Sequence, residues 1–481
     1  MQKENNIHKF SFIGNSLYLF AAKFFPALAT LLVWMHFSKE LSIEQYGHYQ
    51  SYWIQLATLM GIATIGFPIF VLTYSAAQAM AILRSLKRKE IFIYIFFISA
   101  LATLFVALQS NENQLSIWLP ALFFILYTAV LLSDSLLINF RSFLAVTIIN
   151  LVYAIVFVAV HIWIMGKGYD LEALLKALLI LLFVRLLANL FFIKLKAKTI
   201  VTGDIAEGEW KKIKKLWLQL GINDVVQVLF RWGDKFILSF LLAKELFAVY
   251  TNATIEIAFL PLIFSAVSSA AVQHWAHQQA TKTVNDQINL LLYSARILSS
   301  IVFPLFFFLL FFREEFLMTI FSEKYISGVW IFVCAQLVLP VRAYPFTALL
   351  QSHHRGDLIN KGSILDFILA IALMYPLYLI MGLPGVALAF VISTYWQAGY
   401  YLIQSARLLQ LPALHLIPLS LLLRKFLIFA VLFGTAYFIF STLFSSTASV
   451  FWAGIFLLFL SGGASLLREW NKNTKPDERT A

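Results

Sequence analysis

Long runs of apolar residues, separated by short polar stretches, recur from one end of the chain to the other. Each run is roughly 20 residues long, the length that an α-helix needs to cross the hydrocarbon core of a bilayer. Only helices and closed barrels satisfy every backbone group in lipid, and runs this long are not barrel strands. The pattern predicts an all-α polytopic membrane protein with about 14 transmembrane helices. Their approximate spans are 12–37, 48–76, 91–109, 117–140, 142–165, 171–193, 217–242, 249–272, 291–312, 327–350, 363–381, 385–406, 426–441 and 449–467.

The longest polar segment, 194–216, separates these runs into two groups. We expect an N-lobe of six transmembrane helices over 1–193 and a C-lobe of six over 217–408, joined by 194–216 as a basic cytoplasmic loop. Residues 409–468 would add a helix pair whose interior carries no charge, which suits either a lipid tail or plain exposure to lipid. Residues 469–481 would form a cytoplasmic tail.

A short pattern occurs in both lobes. The segments FSKELSIEQYGHY (37–49) and FLLAKELFAVY (240–250) come into register at a constant offset, which also aligns Lys23 with Asp224. Internal repeats of this kind in transporters place the substrate site near the membrane midplane. We therefore expect two pseudo-repeated lobes around a central cavity.

Composition and charge place the chain in a membrane and give its orientation. Hydrophobic residues make up 61% of the chain and charged residues 12%, which excludes an ordinary soluble domain. The net charge of +12 is concentrated in alternate loops, chiefly after the second and sixth spans. The positive-inside rule then predicts cytoplasmic termini, and a charge that follows membrane sidedness argues against nucleic-acid binding. The single cysteine excludes an internal disulfide, and no cleavage site follows the first span, which we expect to be retained.

Ionisable residues inside the predicted spans are the main candidates for function. A charge at the bilayer centre costs roughly 2.5–3.5 kcal/mol on insertion scales, so each needs a partner, an aqueous cavity or a function. Half of these residues are basic, and a cationic interior favours an anionic cargo. The residues are Lys23, Asp134, Arg185, Asp224, Arg231, Asp234, Lys235, Glu256, Arg342 and Asp366.

The seventh span has a polar stripe. Asp224, Gln227, Arg231, Asp234 and Lys235 lie towards one side of this helix. Such a stripe cannot face acyl chains, so it lines a cavity or forms a ladder of salt bridges. Both interpretations stay open from sequence alone.

The other basic candidates have different surroundings. Lys23 has no acid in its own helix and either pairs with an acid of the other lobe or offers its ammonium group to cargo. Arg342 lies between Pro340 and Pro345, which predict a broken helix lining a cavity, as an anion site or as a gating kink or ion pair. Arg185 is a weaker candidate, because it is near the end of its span and a long side chain there can reach the interface.

The acids and the basic helix start also allow two interpretations. Asp224, Asp234, Glu256 and Asp366 are candidates either for ion coupling or as counter-ions of the arginines. The segment 209–217 places tryptophans and an isoleucine on one helical face among lysines, which suits a helix lying against anionic headgroups or ordinary anchoring at the interface.

The chain has no arrangement resembling a zinc site, no phosphate loop and no nucleophile elbow, so we expect no metal, no cofactor and no enzymatic activity.

Three segments carry a family pattern: GNSLYLFAAKFFPALATLLVW (14–34), LSIEQYGHYQSYWIQLATLMGIATIGFP (41–68) and DKFILSFLLAKELFAVYTNATIEIAFLPL (234–262). With the layout of the spans, they resemble the polysaccharide-transporter family, the O-antigen and capsule repeat-unit flippases of the multidrug/oligosaccharidyl-lipid/polysaccharide exporter superfamily. The commoner layout of that family has fewer helices, and the last helix pair of this chain is additional to it.

The resemblance implies a cargo, a mechanism and a location. The cargo would be a short oligosaccharide on undecaprenyl pyrophosphate, moved by alternating access from the cytoplasmic to the periplasmic leaflet of a bacterial inner membrane. Such a flippase serves O-antigen, lipopolysaccharide or capsule synthesis beside the polymerase and chain-length proteins of its pathway. The candidates for binding the pyrophosphate are Lys23, Arg231, Lys235, Arg342 and Arg185.

Two alternatives compete with this interpretation. A cation-coupled multidrug exporter of the same fold usually has an acid in its first helix, where this chain has Lys23 and no acid. A membrane-embedded polysaccharide polymerase or ligase normally has a large external loop with Arg and His, whereas the external loops predicted here are short.

Overall fold

The computed structural model describes residues 2–113, 115–168, 170–200, 207–255 and 284–474. Across these ranges the chain forms eighteen α-helices and three short 3-10 helices, with no β-strand. The α-helices are α1 Gln2–Glu40, α2 Ile43–Ala63, α3 Phe67–Leu72, α4 Ala76–Arg84, α5 Arg88–Asn113, α6 Trp118–Asn139, α7 Phe143–Gly166, α8 Leu171–Ala197, α9 Glu207–Leu241, α10 Lys244–Ala253, α11 Val284–Phe311, α12 Arg313–Ile320, α13 Val329–Gln336, α14 Ala348–Ser352, α15 Gly356–Met381, α16 Leu383–Leu409, α17 Leu419–Leu443 and α18 Thr447–Thr474.

Eleven segments in the described part of the chain are long and apolar enough to cross a membrane. The more polar helices α2 and α9 are not among them. α9 contains the predicted span 217–242, whereas the predicted continuous span 48–76 is wrong, because the chain breaks at Ile65 and Gly66 into α2 and α3. Most of the predicted span 249–272, including Glu256, lies outside the described residues. The predicted fold class, an all-α polytopic membrane protein, is confirmed.

The chain divides into two compact units, Met1–Ala248 and Val249–Ala481. In the first unit α1 packs along α7, α6 packs against α8, and α9 packs against α2 and α3. In the second unit α15 and α16 form an antiparallel hairpin, while α11 contacts both α17 and α18. The lobe boundary expected at 194–216 stays a prediction.

A break between α2 and α3 lets α9 approach closely. Ile65 and Gly66 both have positive φ, 43° and 66°. A Cβ atom built on Gly66 would lie 2.6 Å from the Cα atom of Gly221 in α9, and one on Gly221 would lie 2.7 Å from the carbonyl oxygen of Ile65. The two glycines thus allow a backbone-to-backbone contact that no larger side chain permits.

We expect Gly66→Ala to destabilise the first unit strongly. An L-residue with left-handed φ costs roughly 1–2 kcal/mol, and forcing a methyl group into a filled contact costs about 1–3 kcal/mol more. The matched control is Gly168→Ala, where φ is also positive at 75° but no atom lies within 4 Å. Thermal unfolding of the purified variants would measure the difference; equal losses in both variants would contradict the close contact.

The last two helices are attached to α11 by a buried polar cluster. Lys425 at the start of α17 pairs with Glu469 near the end of α18 at 3.2 Å, and both side chains are largely buried. The Lys425 ammonium also donates to Ser300 Oγ at 2.7 Å and to Ser299 Oγ at 3.3 Å, both on α11. Ser465 of α18 donates to Ser300 Oγ at 2.8 Å. Charges from the two ends of the helix pair therefore meet at one point.

Aromatic packing joins the same helices between their ends. The Phe426 ring lies 4.7 Å from Phe307 of α11. Gly454 lets α18 come so close that an added Cβ would lie 2.8 Å from the ring of Phe312. Beyond the spans, burial raises the pKa of the Glu315 carboxyl on α12, which accepts a hydrogen bond from Tyr437 of α17 at 3.2 Å. The use of this helix pair for a lipid tail stays a prediction.

Candidate functional site

Helix α9 presents the polar stripe predicted from the sequence, and the break between α2 and α3 supports it. Trp217 of α9 donates its indole N–H to the Ile65 carbonyl oxygen at 3.0 Å. The Asp224 carboxylate accepts a hydrogen bond from the Gly66 backbone N–H and interacts electrostatically with the Arg231 guanidinium. Two backbone groups that the break leaves outside a helix are thus satisfied by α9.

The cations of this stripe differ in exposure. Arg231 is exposed, whereas Asp224 is partly buried. The Lys235 ammonium lies 3.4 Å from the Asp234 carboxylate, and these side chains are only 11% and 9% exposed. The charge of Lys235 is therefore balanced by its neighbour, and Arg231 is the basic group of this stripe that is exposed.

A buried amide network closes one end of this region. Gln109 of α5 donates to the Gln55 side-chain oxygen at 2.7 Å, and Gln55 donates in turn to Ser239 Oγ of α9 at 3.0 Å. The Lys244 ammonium donates to Ser51 Oγ at 3.1 Å and to the Ser239 carbonyl oxygen at 2.9 Å. These contacts fix α9 against α2 and α5, and sequence periodicity gives no sign of them.

Arg185 is at the centre of a buried network in the first unit. Its Nη2 atom donates to Asp134 Oδ2 at 2.5 Å and to Asn150 Oδ1 at 2.7 Å. Its guanidinium lies over the Tyr153 ring at 4.3 Å, and Asn189 donates to the other Asp134 oxygen at 2.8 Å. The Arg185 side chain is only 7% exposed and packs inside the protein. The sequence-based expectation that it could extend to the membrane interface is therefore wrong.

Lys23 lies beside this network but points away from it. Ala22 accepts a hydrogen bond from Asn150 at 3.0 Å, while the next side chain, Lys23, is exposed. Among the described residues, Asp224 interacts with Gly66 and Arg231 and not with Lys23. The ion pair suggested by the repeat is therefore not formed in this structure.

Arg342 occupies a broken helix in the second unit, as the flanking prolines predicted. Helix α13 ends at Gln336, a 3-10 turn covers Pro340–Ala343, and Tyr344 is extended. Tyr395 of α16 donates its hydroxyl to the Leu337 carbonyl oxygen at 3.0 Å, which satisfies one acceptor near the break. The Arg342 side chain is exposed.

Asp366 is an acid of the second unit that interacts electrostatically with this arginine. It is 2% exposed on α15, accepts a hydrogen bond from Ser393 of α16 and feels the charge of Arg342. Its Oδ1 atom has no hydrogen-bond partner among the described residues. Each unit thus contains an exposed arginine beside a carboxylate that is more buried than the arginine.

Two features were missed or misjudged from the sequence. His161 is fully buried among aromatic rings and lies 3.0 Å from the Tyr49 hydroxyl. The apolar face at the start of α9 packs on protein rather than lying in lipid, because Trp217 stacks on Phe70 at 4.5 Å. Hydropathy alone does not tell whether an amphipathic helix face packs on protein or lies in lipid.

Comparisons with known proteins agree with this architecture. The family model described as "Polysaccharide biosynthesis protein" matches residues 89–329, about half of the chain. A structure of lipid II flippase MurJ in an inward closed conformation matches with a TM-score of 0.63 and 14% identity, covering 96% of this chain and 100% of that one. An inward-facing multidrug resistance MATE family transporter of the MOP superfamily matches with a TM-score of 0.59 and 13% identity, covering 80% and 94%.

A third structure, a MOP superfamily transporter from Pyrococcus furiosus, has a TM-score of 0.53 and 13% identity over 82% of this chain and 94% of that one. No curated protein matches the sequence. At these identities the structural matches show a common fold, and the match to the family model shows the family. The chain belongs to the polysaccharide biosynthesis protein family and has the fold of MurJ and of the MATE transporters of the MOP superfamily.

Proposed function

We propose that this protein is a flippase for oligosaccharide repeat units linked to undecaprenyl pyrophosphate, the precursors of O-antigen, capsule or a related surface polysaccharide. The observation that carries the proposal is an exposed arginine in each unit that lies within a span predicted from the sequence and interacts electrostatically with a more buried carboxylate, Arg231 with Asp224 and Arg342 with Asp366. A pyrophosphate needs cations at depth, and a guanidinium can contact phosphate oxygens through two parallel hydrogen bonds. Membership of a polysaccharide biosynthesis family supports a glycan cargo.

In this proposal each carboxylate balances the charge of its arginine when cargo is absent. When the pyrophosphate arrives, it competes with Asp224 or Asp366 for the guanidinium. When cargo leaves, the acid pairs with the arginine again, which avoids an isolated charge in the low-dielectric interior. A proton or another cation taken up by the displaced acid would couple ion movement to cargo movement.

The remaining candidates have secondary parts in this proposal. Lys23 is exposed and offers its ammonium to the phosphate, whereas Lys235 does so only after leaving Asp234. We assign Arg185 to holding the bundle together, because its donors and charge are used by Asp134 and Asn150. The role of Glu256 stays a prediction.

The transport cycle we propose is alternating access without a covalent step. Cargo enters from the cytoplasmic leaflet, the protein changes conformation, and cargo leaves to the periplasmic leaflet of a bacterial inner membrane. A membrane potential that is negative inside favours outward movement of an anion by about 2.3 kcal/mol per charge per 100 mV. A polymerase and chain-length proteins would consume the product.

Reconstitution tests this proposal directly. We expect the purified protein in proteoliposomes to move undecaprenyl-pyrophosphate-linked oligosaccharides, extracted from the source cells, between leaflets faster than protein-free vesicles do. Accessibility of the glycan to an external glycosidase measures the movement. Efflux of cationic drugs without glycan movement would contradict the proposal and favour a multidrug exporter, and lengthening of the glycan would favour a polymerase.

A further inference from the structure

Two basic segments that are far apart in the sequence lie at the same end of the first unit. One is the turn between α4 and α5, and the other is the start of α9. All of their basic side chains are exposed. This surface, called the basic patch below, consists of Arg84, Lys87, Arg88, Lys89, Lys211, Lys212, Lys214 and Lys215.

Buried contacts beneath the basic patch hold its two halves together. Ile82 of α4, Ile213 of α9 and Phe70 of α3 form one apolar cluster. Above the cluster, the Lys214 ammonium pairs with the Glu90 carboxylate of α5. The patch is therefore a built surface that spans three helices rather than the charged end of one helix.

The basic patch lies at the level of lipid headgroups. The spanning segment of α5 begins at Arg88, and the predicted span of α9 begins at Trp217. At 1.5 Å per residue, every cation of the patch is within about two helical turns of these starts. Because Ile213 and Trp217 pack on protein, their side chains are not available for insertion into the membrane, and the basic patch meets it through its charges.

The patch has a large excess of positive charge. Glu90 and Glu209 are the acids that the described side chains place beside its eight cations. Mutual repulsion of these cations opposes the packing of the α4–α5 turn against α9, so bound anions would stabilise that packing.

We propose that the basic patch binds the anionic headgroups of phospholipids in the adjoining leaflet, and that the bound lipids stabilise the contact between the α4–α5 turn and α9. Clusters of lysine and arginine immediately beside a spanning helix attract acidic lipids. Six of the eight cations are lysines, which bind phosphate as point charges and tolerate varied headgroup geometry. This inference does not depend on the transported cargo.

The test uses the full chain in nanodiscs of phosphatidylcholine with and without phosphatidylglycerol. We expect phosphatidylglycerol to raise the thermal unfolding temperature, and added salt to reduce that rise. Native mass spectrometry should show phosphatidylglycerol retained on the protein. The patch variant Lys211→Gln, Lys212→Gln and Lys215→Gln should lose at least half of the temperature rise and most of the retained lipid.

The control variant replaces Lys194, Lys196 and Lys198 at the end of α8 by glutamine. These lysines are equally exposed and the change in charge is the same. They also lie beside a spanning helix, so this variant is expected to lose some retained lipid. Because they do not lie on the α4–α5 turn or on α9, it should keep the rise in unfolding temperature. Equal losses of that rise in the two variants, or no rise in the wild type, would overturn the proposal. If inorganic pyrophosphate in phosphatidylcholine nanodiscs gave the same rise, the patch would be a general phosphate site and the lipid assignment would be wrong.

Discussion

Replacement of Arg342 by alanine is expected to reduce glycan movement by about 10- to 100-fold without loss of protein from the membrane. This range corresponds to one lost charged hydrogen-bonding group, worth about 1.5–3 kcal/mol. Arg342→Lys keeps the charge but loses the paired contact, so we expect an intermediate rate. Arg231→Ala should give a similar loss if both arginines bind the pyrophosphate. The measurements are the leaflet assay in proteoliposomes and, in cells, surface glycan against accumulated lipid-linked precursor.

The matched control for this prediction is Arg355→Ala. Arg355 is a partly exposed arginine of the second unit that is paired with a carboxylate, since it donates to Asp357 through two contacts of 2.9 Å. It lies at the start of α15 rather than in the broken helix, so its loss should leave transport unchanged. Full transport by Arg342→Ala and Arg231→Ala would refute the pyrophosphate site and leave both arginines as structural partners of their acids.

Replacement of Asp134 by alanine is expected to cause the largest loss of stability, about 3–5 kcal/mol, because it leaves a buried arginine without its counter-charge. Asp134 and Arg185 are 15% and 7% exposed, so solvent screens the pair poorly. The same substitution also removes one of the two acceptors of the Asn189 amide, which keeps its hydrogen bond to Ser133. Thermal or denaturant unfolding of the purified variant would measure this loss, with the membrane-inserted amount as a second readout.

An exposed ion pair on the same helix as Arg185 provides the comparison. Glu172 pairs with Lys176 at 2.8 Å on α8, and both groups are in contact with solvent, so Glu172→Ala should change stability little. The double variant Asp134→Leu, Arg185→Met removes both charges together and should recover most of the stability. If that variant also transports normally, Arg185 is structural; if it is stable but inactive, Arg185 binds cargo and our assignment to the bundle is wrong.

The sequence was sufficient to predict the all-helical membrane fold and the break at Arg342, but not the break at Gly66 inside the predicted span 48–76. Membrane spans leave a strong one-dimensional signal, because each must be about 20 apolar residues long. The prolines at 340 and 345 gave a local reason for the broken helix, which the structure contains. The stripe on α9 also followed from helical periodicity alone.

The partners of the charges were much harder to predict, because they depend on which helices pack together. Arg185 meets Asp134 across two helices, and nothing in the local sequence of either residue selects the other. The repeat aligned Lys23 with Asp224, yet Asp224 instead accepts from Gly66, a contact that exists only because Gly221 lets two backbones meet. Alignment of two residues by the repeat therefore did not predict that their side chains are in contact.

The last two helices, α17 and α18, also show that the sequence pattern predicts which segments are helical but not which side chains meet. Their charge-free interior was evident, and it suggested a surface for lipid. The charges at their two ends, Lys425 and Glu469, come together only when the pair is folded and docked on α11. Separation of more than forty residues hides this contact from any helical period.

The position of α11 has a consequence for how the protein is made. Most of its spanning segment is buried, although its packing partners α17 and α18 come much later in the sequence. Because a chain is synthesised from its N-terminus, α11 is made well before the helices that cover its aromatic face. We therefore expect this face to stay uncovered until α17 and α18 have followed it, so that assembly of the second unit depends on their synthesis.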